Sequence, residues 1–136
     1  MKKLTLLFIL LVVGFSLVGC DDMLGKILPD VITDSVNNDR TGWTIQGSGS
    51  GSSRTQYFTL TEAELNKVSA SVQYVGGSSE LIIMQGELSR TTKLHGSGIT
   101  QSKMKIDMTG FLPDIQLSMR VDVSNISSGQ TTISWE

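Results

Sequence analysis

The 136-residue chain has one cysteine, Cys20, and one histidine, His95. A lone cysteine cannot close an internal disulfide, so an exported domain of this sequence rests on its apolar core alone. One His and one Cys also leave no zinc cluster, and Asp107, Asp114 and Asp122 lack the spacing of a calcium loop. No cofactor is implied. Positive charge is scarce too: Lys and Arg number 11 against 13 Asp and Glu, and without Lys2 and Lys3 the balance falls from −2 to −4. Such a chain offers no electrostatic footprint for nucleic acid and no attraction to anionic lipid. Long apolar runs are missing as well. The longest, residues 4–18, spans roughly 22 Å as a helix, short of the ~30 Å hydrocarbon core of a bilayer. The Gly/Ser stretch at residues 47–53 has neither the Lys nor the strand-to-helix setting of a phosphate-binding loop.

What is present begins with the leader. Lys2 and Lys3 precede the apolar run, the layout of a secretory signal. The run ends in Leu17-Val18-Gly19-Cys20, which resembles the lipobox of bacterial lipoproteins. The resemblance implies that signal peptidase II recognises Leu17, Val18 and Gly19, cuts before Cys20, and leaves diacylglycerol on the Cys20 sulfur, with the new amino group open to acylation by a fatty acid such as palmitate. Each buried CH₂ of such chains contributes ~0.8 kcal/mol, so two or three chains hold a protein where one holds it marginally. The implied location is the exported face of the cell membrane. Asp21, directly after the cysteine, resembles the signal that keeps lipoproteins of Gram-negative enteric bacteria in the inner membrane, whereas in a Gram-positive cell it has no such meaning. An ordinary signal peptide with an incidental cysteine, or an uncleaved anchor, is the alternative.

Three segments follow: a signal peptide over residues 1–19, a lipidated cysteine and tether over 20–41, and an exported domain over 42–136. Within the tether, apolar residues 23–36 recur at roughly helical spacing, broken by Gly25 and Pro29, which suggests a turn or two of helix ending at Asn37-Asn38-Asp39. The exported domain is expected to be all-β, an antiparallel β-sandwich of seven or eight strands, loosely jelly-roll-like. Its clearest strand alternates Ile115, Leu117, Met119, Val121 and Val123 against polar residues. Residues 80–85 hold Leu81-Ile82-Ile83-Met84, apolar on both faces, and suit a strand covered on both sides. Thr61 and Glu64 fit a helical capping box. Residues 47–53 read as a mobile loop. Residues 86–102 read first as a long connection, with room for short strands at 91–94 and near Ile99.

Chemistry is thin. His95 beside Ser97 could form a nucleophile and base, yet the string lacks the strand-nucleophile-helix setting of a hydrolase. No catalytic residue is assigned. Aromatics are the better ligand candidates: Tyr57 alternates away from Phe58 and Leu60, and Trp43 lies beside the Gly/Ser stretch, whereas Tyr74 and Trp135 alternate in phase with core residues. Three functions remain in view. The first is a lipid-anchored, non-catalytic binding module that contacts an envelope protein. The second is a carbohydrate-binding module using Trp43 and Tyr57, and the third a hydrolase using His95.

Overall fold

The computed structural model describes residues 31–136. The lipobox residues Leu17, Val18, Gly19 and Cys20 lie outside them. Among the described residues there are nine strands and one short helix: β1 (Val31–Val36), β2 (Gly42–Ser48), β3 (Ser52–Thr59), α1 (Glu62–Leu65), β4 (Ser69–Val75), β5 (Ser78–Gln85), β6 (Leu88–His95), β7 (Lys103–Lys105), β8 (Gln116–Ser124) and β9 (Ser128–Ser134).

The pairing has a nested order. β5 pairs with β6, β4 with β7, β3 with β8 and β2 with β9, every pair antiparallel. These are the rungs of one long antiparallel ribbon, and its tip is the two-residue loop Gly86-Glu87. Glycine at the first central position, here with φ +59°, suits a hairpin whose turn twists with its strands. The ribbon then rolls up, so that β4 also meets β9 and β5 also meets β8. Two sheets result, in the orders β1-β2-β9-β4-β7 and β3-β8-β5-β6. Strands β2 to β9 therefore form a jelly roll, and β1 is an added edge strand.

Alternation explains the core. Leu117, Met119, Val121 and Val123 of β8 face inward and are buried, as are Leu81 and Ile83 of β5 and Ile133 of β9. Trp43, Phe58 and Trp135 meet across the sheets, with ring centroids 6.1 Å and 4.6 Å apart. Ile115 is exposed, because β8 begins one residue later.

Several expectations change. Val31–Val36, assigned from its spacing to the tether, is a strand that puts Ile32 in the core, and Asn37 makes the hairpin turn into β2 by accepting from Gly42 N through Oδ1 (2.9 Å). The Gly/Ser stretch is pinned rather than free. Gly49 and Ile126 exchange two backbone hydrogen bonds (2.9 and 2.8 Å), which a segment without large side chains does not advertise. β5 is central, but only its inner face is covered, and Met84 is exposed. Within residues 86–102 lies the full eight-residue β6, while Ile99 belongs to no strand. β6 is an edge strand, and its inner-face Arg90 spans to Asp107 (3.0 Å) and lies 5.6 Å from the Phe111 ring centre, so its polar sequence hides its inward side.

The capping box is formed: Thr61 N donates to Glu64 Oε2 (2.7 Å) and Glu64 N to Thr61 Oγ1 (3.4 Å). Thr61→Ala is expected to cost about 1 kcal/mol, read as a lower urea midpoint with unchanged slope.

Candidate functional site

Trp43 cannot serve as a platform. It is wholly buried, its ring packs on Phe58, and its indole N–H donates to Asp34 Oδ2 (3.0 Å). The reason is alternation: Trp43 is opposite Ile133 and in phase with buried Ile45 on the inner side of β2. Tyr57 is 60% exposed on the outer face of the four-stranded sheet, in a row with Ser118 and Met84. The two aromatics thus lie on opposite sides of β3 and share no surface.

The outer face of the other sheet has a different character. Thr33, Gln46, Gln130 and Gln73 stand in one row across β1, β2, β9 and β4, and Ser35, Thr44, Thr132 and Ser71 in the next. Hydroxyls pair along it, Thr44 with Thr132 at 3.1 Å and Ser69 with Ser134 at 3.2 Å. It is a surface of hydroxyls and amides that ends on β7 in the exposed Lys103, beside Ser71, and Lys105, beside Ser69.

His95 ends β6 at one end of the sandwich. Its Nε2–H donates to the Gly76 carbonyl (3.0 Å), which leaves Nδ1 as the acceptor of the neutral ring, and the ring meets Tyr74 edge-on at 5.7 Å. Among the described residues, no hydrogen bond joins His95 to Ser97.

Both residues instead line a pocket of about 360 Å³, together with Ser79, Glu80, Lys93 and Asp122. Three local features build it. The ladder between β5 and β6 slips at Ser79 and Glu80, so that Ser79 faces His95 while Glu80 faces Lys93. Such a bulge re-aims side chains. Across the other edge of β5, Glu80 stands opposite Asp122, and Arg120 grips Asp122 with Nε 3.0 Å from Oδ1 and Nη2 donating to Oδ2 at 3.0 Å. Ser79 is only 4% exposed, and its hydroxyl has no hydrogen-bond partner. A buried hydroxyl in that state costs about 1–3 kcal/mol unless something else meets it. The pocket therefore offers carboxylates, an ammonium, an imidazole and hydroxyls within one small volume, a size suited to a small ligand.

Tyr74, behind His95, has its phenol pKa raised above the ordinary 10.0 by burial, opposed by the hydrogen bond it accepts from Thr131 Oγ1 (2.9 Å). A raised folded value means that the unfolded chain loses this proton first as pH climbs. The stability is full below about pH 10 and is lost above it. Urea midpoints of the wild type should therefore fall between about pH 9 and 11 more steeply than those of Tyr74→Phe.

A second, larger cleft, about 650 Å³, opens at the opposite end between α1 and the loop after β7. There Thr109 donates twice to Asp107 Oδ1, through N (2.9 Å) and Oγ1 (2.6 Å), and holds the Asp107 carboxyl below its usual range. These bonds close the loop on itself. The pocket by His95 is the better candidate because its polar groups converge on open space.

Sequence reading found His95 and Ser97 but missed Ser79, Glu80, Lys93 and Asp122. A signal for one part existed: Asp122 is an outward residue of the cleanly alternating β8, though only the pairing of β5 brings it into one row with Lys93. No protein-family model, curated protein or solved structure matches this chain.

Proposed function

We propose that this protein is a lipid-anchored, non-catalytic binding module displayed on the exported face of a bacterial cell membrane. The observation that carries the reading is Leu17-Val18-Gly19-Cys20 with only ten residues between Cys20 and the first strand of the described residues. Fully extended, ten residues reach at most about 36 Å. A lipid on Cys20 keeps the sandwich close to the bilayer. Val31 pairs with Ser48, beside the Gly49–Ile126 bridge, so the chain enters the sandwich at the end that carries the His95 pocket. The Ser/Thr/Gln face and the pocket are the surfaces offered to an envelope protein or a glycan.

The test is membrane fractionation of wild type and Cys20→Ala, with crosslinking in intact cells. Wild type should be cleaved, follow the detergent phase and capture one stoichiometric envelope component, whereas Cys20→Ala should carry no lipid and retain its leader. A Cys20→Ala chain still processed and still held by detergent would overturn the anchor. The carbohydrate reading on Trp43 and Tyr57 loses its first residue to the core. The hydrolase reading on His95 predicts that His95→Ala abolishes an activity that the module reading does not require.

A further inference from the structure

We propose that the His95 pocket binds a single neutral sugar unit, as a free glycoside or the end of a glycan. The inference rests on the binding-module reading and names its ligand class. Charge comes first. Glu80 and Asp122 face each other across β5 and β8, a like-charge pair that is unfavourable when directly opposite. Lys93 on the far side of Glu80 and Arg120 on Asp122 balance them. Lys93, Glu80 and Asp122 stand in one row, Arg120 stands two residues away on β8 and pairs with Asp122, and the four charges sum to zero. An anion meets two carboxylates at the pocket, and a cation meets the Lys93 ammonium with Arg120 already on Asp122, so neither is favoured over a neutral molecule.

Hydrogen bonding narrows the class further. The carboxylates only accept and the ammonium only donates. A ligand that satisfies both must present a donor and an acceptor close together. A hydroxyl is both, and neighbouring hydroxyls on a ring can donate to Glu80 and accept from Lys93 in the same pose. Ser79 lines the same pocket, and its hydroxyl is buried without a partner, so a rotation of that side chain towards the pocket would let a ligand hydroxyl complete it. Val123 and Ile99 add an apolar wall for the C–H face of a ring. About 360 Å³ lies near the lower limit for ligand pockets, which suits one ring rather than a chain of them.

The test uses the natively processed, ¹⁵N-labelled chain in a zwitterionic detergent free of sugar headgroups. It is titrated in turn with the methyl glycosides of glucose, galactose, mannose and N-acetylglucosamine. At least one should shift the amides of Ser79, Lys93 and Gly96 saturably. Glu80→Gln and Asp122→Asn should each weaken that sugar at least tenfold, while retaining the dispersed spectrum of a folded chain. Absence of saturable shifts with all four sugars would overturn the proposal. So would shifts confined to the Tyr57 face, or binding that survives both substitutions. A chain that ignores every sugar yet stays membrane-held through Cys20 and captures an envelope protein loses this inference alone. A chain that binds sugar but is not lipidated loses only the anchor.

Discussion

Gly129→Ala is expected to destabilise the sandwich by at least about 4 kcal/mol, the range reached only by severe single substitutions and a large share of the roughly 5–15 kcal/mol that holds a domain together. Gly129 sits in β9 opposite Tyr74 with φ +138°, a conformation that residues with a side chain seldom adopt. A Cβ there would lie 2.0 Å from the Gln73 carbonyl oxygen and 2.7 Å from both Cα and Cδ1 of Tyr74. Two of these three atoms are backbone of the partner strand, so relief requires β4 and β9 to part. Gly86→Ala is the control. Gly86 also has positive φ, +59°, but a Cβ there meets nothing within 4 Å. Its cost should be about 1–2 kcal/mol, the backbone strain alone. Urea unfolding of the two variants separates steric closure from conformational strain, and equal losses would refute the assignment. The Tyr74 ring fills the space that a side chain at 129 would take, and its edge supports His95, so the same glycine also helps to shape the pocket.

How much of this was legible depends on which residues carried the signal. β8 declares itself, since Leu117 to Val123 alternate without interruption and the strand is covered on one side only. The roll-up into two sheets was legible in outline for the same reason. β6 was not: an edge strand with Arg90 and Thr92 pointing inward has no apolar period to read, and its burial is achieved by a guanidinium laid over Phe111. β1 failed differently. In Val31–Val36 the inner side carries Asp34 between Ile32 and Val36, so the two-residue repeat is broken and the roughly helical spacing of the apolar residues misleads. The pocket draws on residues 78–80, 93–99 and 122–124, segments that meet only through the pairing of β5 with β6 and β8. Ser79 in particular reads as part of a Gly/Ser turn, and no local pattern tells a turn serine from the one that becomes buried beside a bulge.

Asp34→Ala is expected to cost about 3 kcal/mol, from three interactions that converge on one carboxylate. β1 is the edge of one sheet and β3 the edge of the other, and without a bond between them this side of the sandwich would present two open edges. Asp34 closes it. Its Oδ2 accepts from Trp43 Nε1 and from Gln56 Nε2, each at 3.0 Å, and its Oδ1 lies 3.6 Å from Arg54 Nε, while Arg54 Nη2 also donates to the Ile32 carbonyl. The ion pair contributes least, because Arg54 is more than a third exposed and water screens it. Most of the effect comes from the indole N–H of wholly buried Trp43, which would lose its only acceptor, at about 1–3 kcal/mol, and from the bond to Gln56. Two further variants divide the cost. Asp34→Asn keeps an acceptor oxygen and should lose roughly half as much. Trp43→Phe removes the orphaned donor, so Asp34→Ala in that background should cost about 1 kcal/mol less than in the wild type. Strict additivity in this cycle, measured by urea unfolding, would mean that Asp34 holds β1 to β3 without help from the tryptophan, and the closure would then rest on Gln56 and Arg54 alone.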